Sequence, residues 1–129
     1  MLKRSYDNKE AALLLLSADC FDSSVVAFYY AVLQRMMYAL NNAEKRPLQY
    51  DKQNPLDENI HFKILTEIKN RLPGKEEECF DEQFMKLFGY RKKADYSLEP
   101  ISQDDCLDCR GLYEWLIGKL DRYFPIKEG

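Results

Sequence analysis

The stretch SSVVAFYYAVLQRMMYAL, residues 23–40, controls how the rest of the chain is read. Val25, Val26, Tyr29, Tyr30, Val32, Leu33, Met36, Met37 and Leu40 recur at steps of three and four residues, which is the period of an α-helix and not of a strand. At 1.5 Å per residue, a helix over about residues 23–42 reaches roughly 30 Å and sets the long dimension of a bundle. It carries few charges over most of its length, so more than half of its circumference is apolar. Several neighbours must bury it: it is either the central helix or a surface shared between the core and a partner chain.

Upstream, a first helix is expected over about residues 8–20, with Ala12, Leu13, Leu16 and Cys20 inward and Leu14 and Leu15 widening the apolar stripe. Asp22 suits an N-cap for the helix that follows. Downstream, AEKRPLQYDKQNP (43–55) is the longest polar connection, and Asn54-Pro55 is a start signal. The third helix then runs over about 56–72 with Ile60, Ile64, Leu65, Ile68 and Leu72 on one side, ended by Pro73-Gly74. A fourth begins near Glu76, where Glu76, Glu77 and Glu78 complement the N-terminal dipole, and continues through Phe80, Phe84, Leu87 and Phe88 toward Asp95 unless Gly89 stops it. Ser102 and Asp105 form a capping-box-like pair before a last helix over about 103–123, which presents Cys106, Tyr113, Leu116, Ile117, Leu120 and Phe124. No run alternates long enough for a strand, so the fold class is all-α: an antiparallel bundle of four to five helices forming one domain over residues 1–129.

The composition is that of an ordinary folded chain, 46% hydrophobic and 32% charged, which argues against intrinsic disorder. The apolar run AALLLLSA (11–18) is too short to span a bilayer, and no export signal follows it. No membrane association and a cytoplasmic location are expected, which disfavours disulfides among Cys20, Cys79, Cys106 and Cys109. A formal net charge of −3 and a pI near 5.3 are not the footprint of a general nucleic-acid binder, so any such contact must be local. The local candidates are Lys86, Arg91, Lys92 and Lys93, with Lys3-Arg4 and Lys45-Arg46 as weaker rivals.

Cys106-Leu-Asp-Cys109 sits near a predicted helix start, where thiols become reactive, but no second C-x-x-C completes a zinc site and the redox-fold context is missing. Buried core thiols are the expected reading, and neither a metal nor a cofactor is implied. His61 is the single histidine; it lies one turn before Leu65 and edges the core, and any mechanism needing an imidazole must use it. In RKKADY (91–96), Arg91 and Asp95 stand four apart and can form an ordinary surface pair worth ~0.3–0.5 kcal/mol. Alternatively Arg91, a permanent cation with bidentate geometry, faces a phosphate with Tyr96 hydrogen-bonding beside it.

Three stretches taken in order resemble the HEPN family (higher eukaryotes and prokaryotes nucleotide-binding domains). Residues 11–40 are similar to the first two helices of that family, with Phe28-Tyr29-Tyr30-Ala31 matching its A-Y-Y-A-like element. His61 falls where many small bacterial members carry a T-H-K-like element, and residues 91–96 resemble the R-x-x-A-D-Y signature of one bacterial subgroup. The resemblance spans roughly residues 8–124 and implies an all-α bundle, often a homodimer. It also implies a toxin–antitoxin or defence setting, RNA as target and a nucleotidyltransferase antitoxin as partner. The family's usual ribonuclease motif is Arg, four to six residues, then His, and it works without metal. Arg91 matches the first member, but Tyr96 stands where the His belongs and no histidine follows. A phenol with a pKa near 10 is a poor base at neutral pH, and loss of positioned acid–base help forfeits ~10²–10⁴ in rate. The expectation is therefore an interaction or RNA-associated module with little or no nuclease activity. The alternatives are a metal-independent ribonuclease drawing on Arg91, Asp95, Tyr96 and His61, and a purely structural helical subunit.

Overall fold

The computed structural model describes residues 2–43 and 58–127. Five helices occupy them, with no strand among the described residues: α1 (Leu2–Ser17), α2 (Phe21–Ala43), α3 (Glu58–Lys69), α4 (Glu76–Tyr96) and α5 (Gln103–Tyr123). The polar connection, its Asn54-Pro55 start signal and the Lys45-Arg46 pair lie outside the described residues.

α2 is the central helix and packs against each of the other four. Val25, Phe28, Tyr29, Val32, Met36 and Leu40 are fully covered within the one chain. Between residues 24 and 40, α2 leaves half-buried only a narrow stripe at four-residue spacing, Val26, Tyr30, Gln34 and Tyr38. Most of the apolar face of α2 is thus covered by the chain's own core.

α1 starts about six residues earlier than the periodicity suggests, because the polar run before residue 8 is helical. The cause lies in small residues. Ser5 donates to the Ala31 carbonyl at 2.7 Å, and Ser24 donates to the Ala12 carbonyl at 2.7 Å. Ser5 and Ala12 on α1 thus face Ala31 and Ser24 on α2 in antiparallel order, and the lack of bulk at all four lets the backbones approach closely. Rotated by this seam, Leu14 points outward, 69% exposed, and does not widen the apolar stripe. Cys20 is exposed as well, beyond a turn in which Asp19 takes φ 59°.

Asp22 is not the N-cap of α2. The helix begins one residue before it, and its carboxylate accepts the Ile101 amide at 2.9 Å, tying this end of α2 to the loop ahead of α5. α3 ends at Lys69, short of residue 72; Leu72 stays in the core from the following turn, and Gly74 turns the chain at φ +53°. Gly89 does not interrupt α4. A glycine inside a helix costs about 1 kcal/mol, and the buried Phe84, Leu87 and Arg91 around it hold the helix across the gap. α5 has the expected bounds, with Ser102 accepting from the Asp105 amide and the Asp105 carboxylate accepting from the Ser102 amide. Lys119 to Glu76 at 3.1 Å and Lys93 to Asp105 at 3.2 Å bind the two ends of the antiparallel α4–α5 pair.

Candidate functional site

The site grows from one buried cation. Arg91 lies near the end of α4 with its side chain 2% exposed. Taking a guanidinium out of water costs several kcal/mol unless partners replace the lost hydration. Here they are of two kinds. The faces of three tyrosines surround it, with Cζ 5.5 Å from the ring centre of Tyr29 and 6.0 Å from those of Tyr30 and Tyr96. Two carboxylates neutralise it: Glu58, the first residue of α3, at 3.2 Å from Nη1, and Asp95 at 2.9 Å from Nε. The Asp95 contact is electrostatic, since the Nε–H makes no hydrogen bond. The pair expected at the surface is therefore present at helical spacing, but its cation belongs to the interior.

Electrostatics follow from this crowding. Burial opposes the charge on Arg91, Tyr30 and Asp95 outweigh burial, and the guanidinium stays a permanent cation. Lys92 donates to the same Glu58 oxygen at 2.8 Å. That bond, together with Arg91, holds the Glu58 carboxyl below its ordinary range. Burial raises the phenols of Tyr29 and Tyr30 above theirs, so both are protonated at neutral pH.

His61 is buried on α3 and places Nδ1 2.8 Å from the Tyr29 hydroxyl. Its ring lies 5.6 Å from Tyr29 and 6.0 Å from Tyr30, centre to centre. Arg91 and His61 thus share the same two tyrosines as neighbours, and Asp95 and Tyr96 complete one cluster containing all four residues singled out as catalytic candidates. Tyr96 enters it by its ring face and not by a hydrogen bond to Arg91; the ring is 67% exposed and also covers the Lys92 ammonium at 4.6 Å. The cluster combines a fixed cation, weak acids and one imidazole committed to a phenol.

The four cations expected to meet nucleic acid are not one patch. Arg91 and Lys92 turn toward α3 through Glu58, whereas Lys86 and Lys93 line a 530 Å³ groove between α4 and α5 with Gly89, Tyr90 and Asp108. Each is also matched by a carboxylate: Lys86 with Glu82 at 3.8 Å, Lys93 with Asp105 at 3.2 Å, and Arg91 and Lys92 with Glu58. A bare stripe of positive charge is not what the fold presents.

Cys106 and Cys109 are buried and unbridged on the core face of α5, and burial raises both thiols above their ordinary range. That is core packing, as their spacing suggests. Comparison of the chain with protein-family models, with curated proteins and with solved structures returns no match.

Two residues that shape the buried charge of this fold escape the sequence reading. Glu58 meets Arg91 across 33 positions, so no local pattern announces it. Arg35, also 2% exposed, binds the Leu120 and Phe124 carbonyls and the Asp121 carboxylate at the far end of α2. Its signal is available: it is the one charged residue within 23–40, and a lone charge in an apolar helix must find partners.

Proposed function

We propose that the chain is a HEPN-like, RNA-associated interaction module of a toxin–antitoxin or defence pair, without the nuclease chemistry usual for that family. The observation that carries this reading is Arg91 itself, enclosed by Tyr29, Tyr30 and Tyr96 and balanced by Glu58 and Asp95. A guanidinium in such a cage is suited to recognising a phosphate by hydrogen bonds and charge. The cage lacks a neutral-pH base aimed at a reacting hydroxyl, since Tyr96 presents its ring and His61 Nδ1 is spent on Tyr29. A second copy of the chain and a nucleotidyltransferase are the partners that the resemblance implies.

The test is anisotropy of a labelled single-stranded oligoribonucleotide at low salt, run beside a cleavage assay in chelator. Binding that weakens on the order of tenfold in folded Arg91→Met, with no cleavage by the native chain, is the expected result. Equal binding by the native chain and Arg91→Met refutes it.

One observation favours a second reading, the metal-independent ribonuclease: His61 and Arg91 flank the same tyrosines. That reading requires cleavage in chelator, abolished in Arg91→Ala and reduced in Tyr96→Phe. If Arg91→Ala harms only folding, the chain is a structural subunit.

A further inference from the structure

Phosphate recognition by Arg91, as proposed for the function, is the premise on which a role for Glu58 and Lys92 rests. A single oxygen, Glu58 Oε1, is gripped by both cations, 3.2 Å from Arg91 Nη1 and 2.8 Å from Lys92 Nζ. One acceptor oxygen shared by a guanidinium and an ammonium is how proteins hold a phosphate oxygen, with Arg supplying directed donors and Lys a point charge. Here a carboxylate of the chain's own occupies that position.

The seat also has donors that Glu58 leaves unused. Among the described residues neither the buried Arg91 Nε–H nor the buried Tyr30 hydroxyl makes a well-aligned hydrogen bond: Nε has Asp95 Oδ2 at 2.9 Å but out of line, and the Tyr30 phenol adjoins the Arg91 guanidinium, its ring centre 6.0 Å from Cζ. Buried donors held off good hydrogen-bond geometry are uncommon enough to need a reason. A carboxylate reaching in from α3 offers one oxygen to the seat, whereas a tetrahedral oxyanion brings a further oxygen for the Tyr30 phenol, with Asp95 keeping the Nε side.

Charge and mobility fit the same account. Arg91 and Lys92 are balanced by Glu58 and Asp95, so the closed cluster is neutral; withdrawal of Glu58 leaves it with one net positive charge. The Glu58 side chain is 31% exposed and can swing into water by side-chain rotation alone, while Arg91 is locked among the rings.

We propose that Glu58 is an intramolecular plug in an anion seat built by Arg91, Lys92 and Tyr30, and that an incoming phosphate group displaces it. A tethered plug competes at high effective concentration, so the native chain binds free phosphate weakly and is spared occupation by every small anion.

The experiment compares the native chain with Glu58→Gln, with Glu77→Gln as an exposed charge-removal control, and with Glu58→Gln/Lys92→Met. Each is titrated with inorganic phosphate by NMR shifts and with the labelled oligoribonucleotide by anisotropy, after circular dichroism has verified its helix content. Glu58→Gln is expected to bind phosphate on the order of tenfold more tightly than the native chain, the gain of one charge-assisted partner. Glu77→Gln should show no gain, and adding Lys92→Met should cancel it. A Glu58→Gln variant no better than the native chain, or one matched by Glu77→Gln, overturns the plug. Oligonucleotide binding that gains in parallel identifies a phosphodiester as the occupant; a gain for the phosphate ion alone identifies a free phosphate monoester or ion. Equal oligonucleotide binding with no gain for either ligand removes the plug and leaves RNA association standing. A gain for phosphate where no form binds the oligonucleotide keeps the plug and removes the RNA reading.

Discussion

Arg35 and Arg91 are equally buried, each 2% exposed, and each keeps one buried nitrogen without a hydrogen-bond partner, Nη1 in the first and Nε in the second. Their acceptors differ in kind. Arg35 donates through Nη2 to the Phe124 carbonyl at 2.6 Å and the Leu120 carbonyl at 3.3 Å, with Asp121 at 3.2 Å. Those carbonyls belong to the last turn and C-cap of α5, where the dipole favours a cation; the Leu120 oxygen also accepts the Phe124 amide at 2.8 Å. Among the described residues Arg91 meets no main-chain acceptor, only the side chains of Glu58 and Asp95 with aromatic faces around them. Backbone oxygens cannot leave, so Arg35 is a clamp that closes α5 onto α2. Side-chain carboxylates can rotate away, so Arg91 is a cation whose partners are exchangeable. Equal burial thus hides a difference in kind, fixed acceptors around Arg35 and movable ones around Arg91.

The contrast fails if the two arginines respond alike. Arg35→Met should cost the most, about 3 kcal/mol of unfolding free energy by urea titration, because it removes a buried cation that ties the Phe124 carbonyl and Asp121 to α2. Arg91→Met should cost less, about 2 kcal/mol, because Glu58 and Asp95 regain water once released, and it should abolish the phosphate response that Arg35→Met leaves intact in the folded fraction. Equal losses of stability in the two variants would deny any difference between clamp and exchangeable cation.

Smaller effects delimit the Arg91 region. Tyr29→Phe removes the hydroxyl that meets His61 Nδ1 and keeps the ring that meets Arg91, so it should cost about 1 kcal/mol and leave oligonucleotide binding unchanged. A fall in binding would mean that the imidazole takes part. The smallest effect is a pH dependence. Because the Glu58 pKa is lowered on folding, its stabilising contribution is complete above the unfolded carboxylate value, about 4.3, and is lost as pH falls through the lowered folded value. Glu58→Gln should flatten that part of the acid limb of a urea-midpoint profile, while Arg35→Met should not.

How much of this is legible in the chain varies by element. α5 is read to its end residues because a capping box at Ser102 and Asp105 states where the helix starts, and apolar positions repeat behind it. The start of α1 is misread because its contact face uses Ser5, a small polar residue whose hydroxyl is satisfied by a carbonyl of α2, and periodicity analysis sees only apolar bulk. In the site, the sequence singles out Arg91, Asp95 and Tyr96 together because they share one helix end, and His61 because it has no rival. It says nothing of Glu58, whose meeting with Arg91 and Lys92 depends on how α3 lies against α4. It also mistakes Lys86 and Lys93 for neighbours of Arg91: helix rotation carries them round to the α5 side.

An all-α fold is written in the order of the residues alone, since runs of apolar side chains at helical spacing leave few other ways to exclude water; that α2 is its centre took the packing to decide. Whether Arg91 would be a solvated charge or an enclosed one was settled only in three dimensions. Local spacing governs which residues share a helix face, but the cost of burying a guanidinium is met by groups from α2 and α3 that become neighbours only when the helices pack.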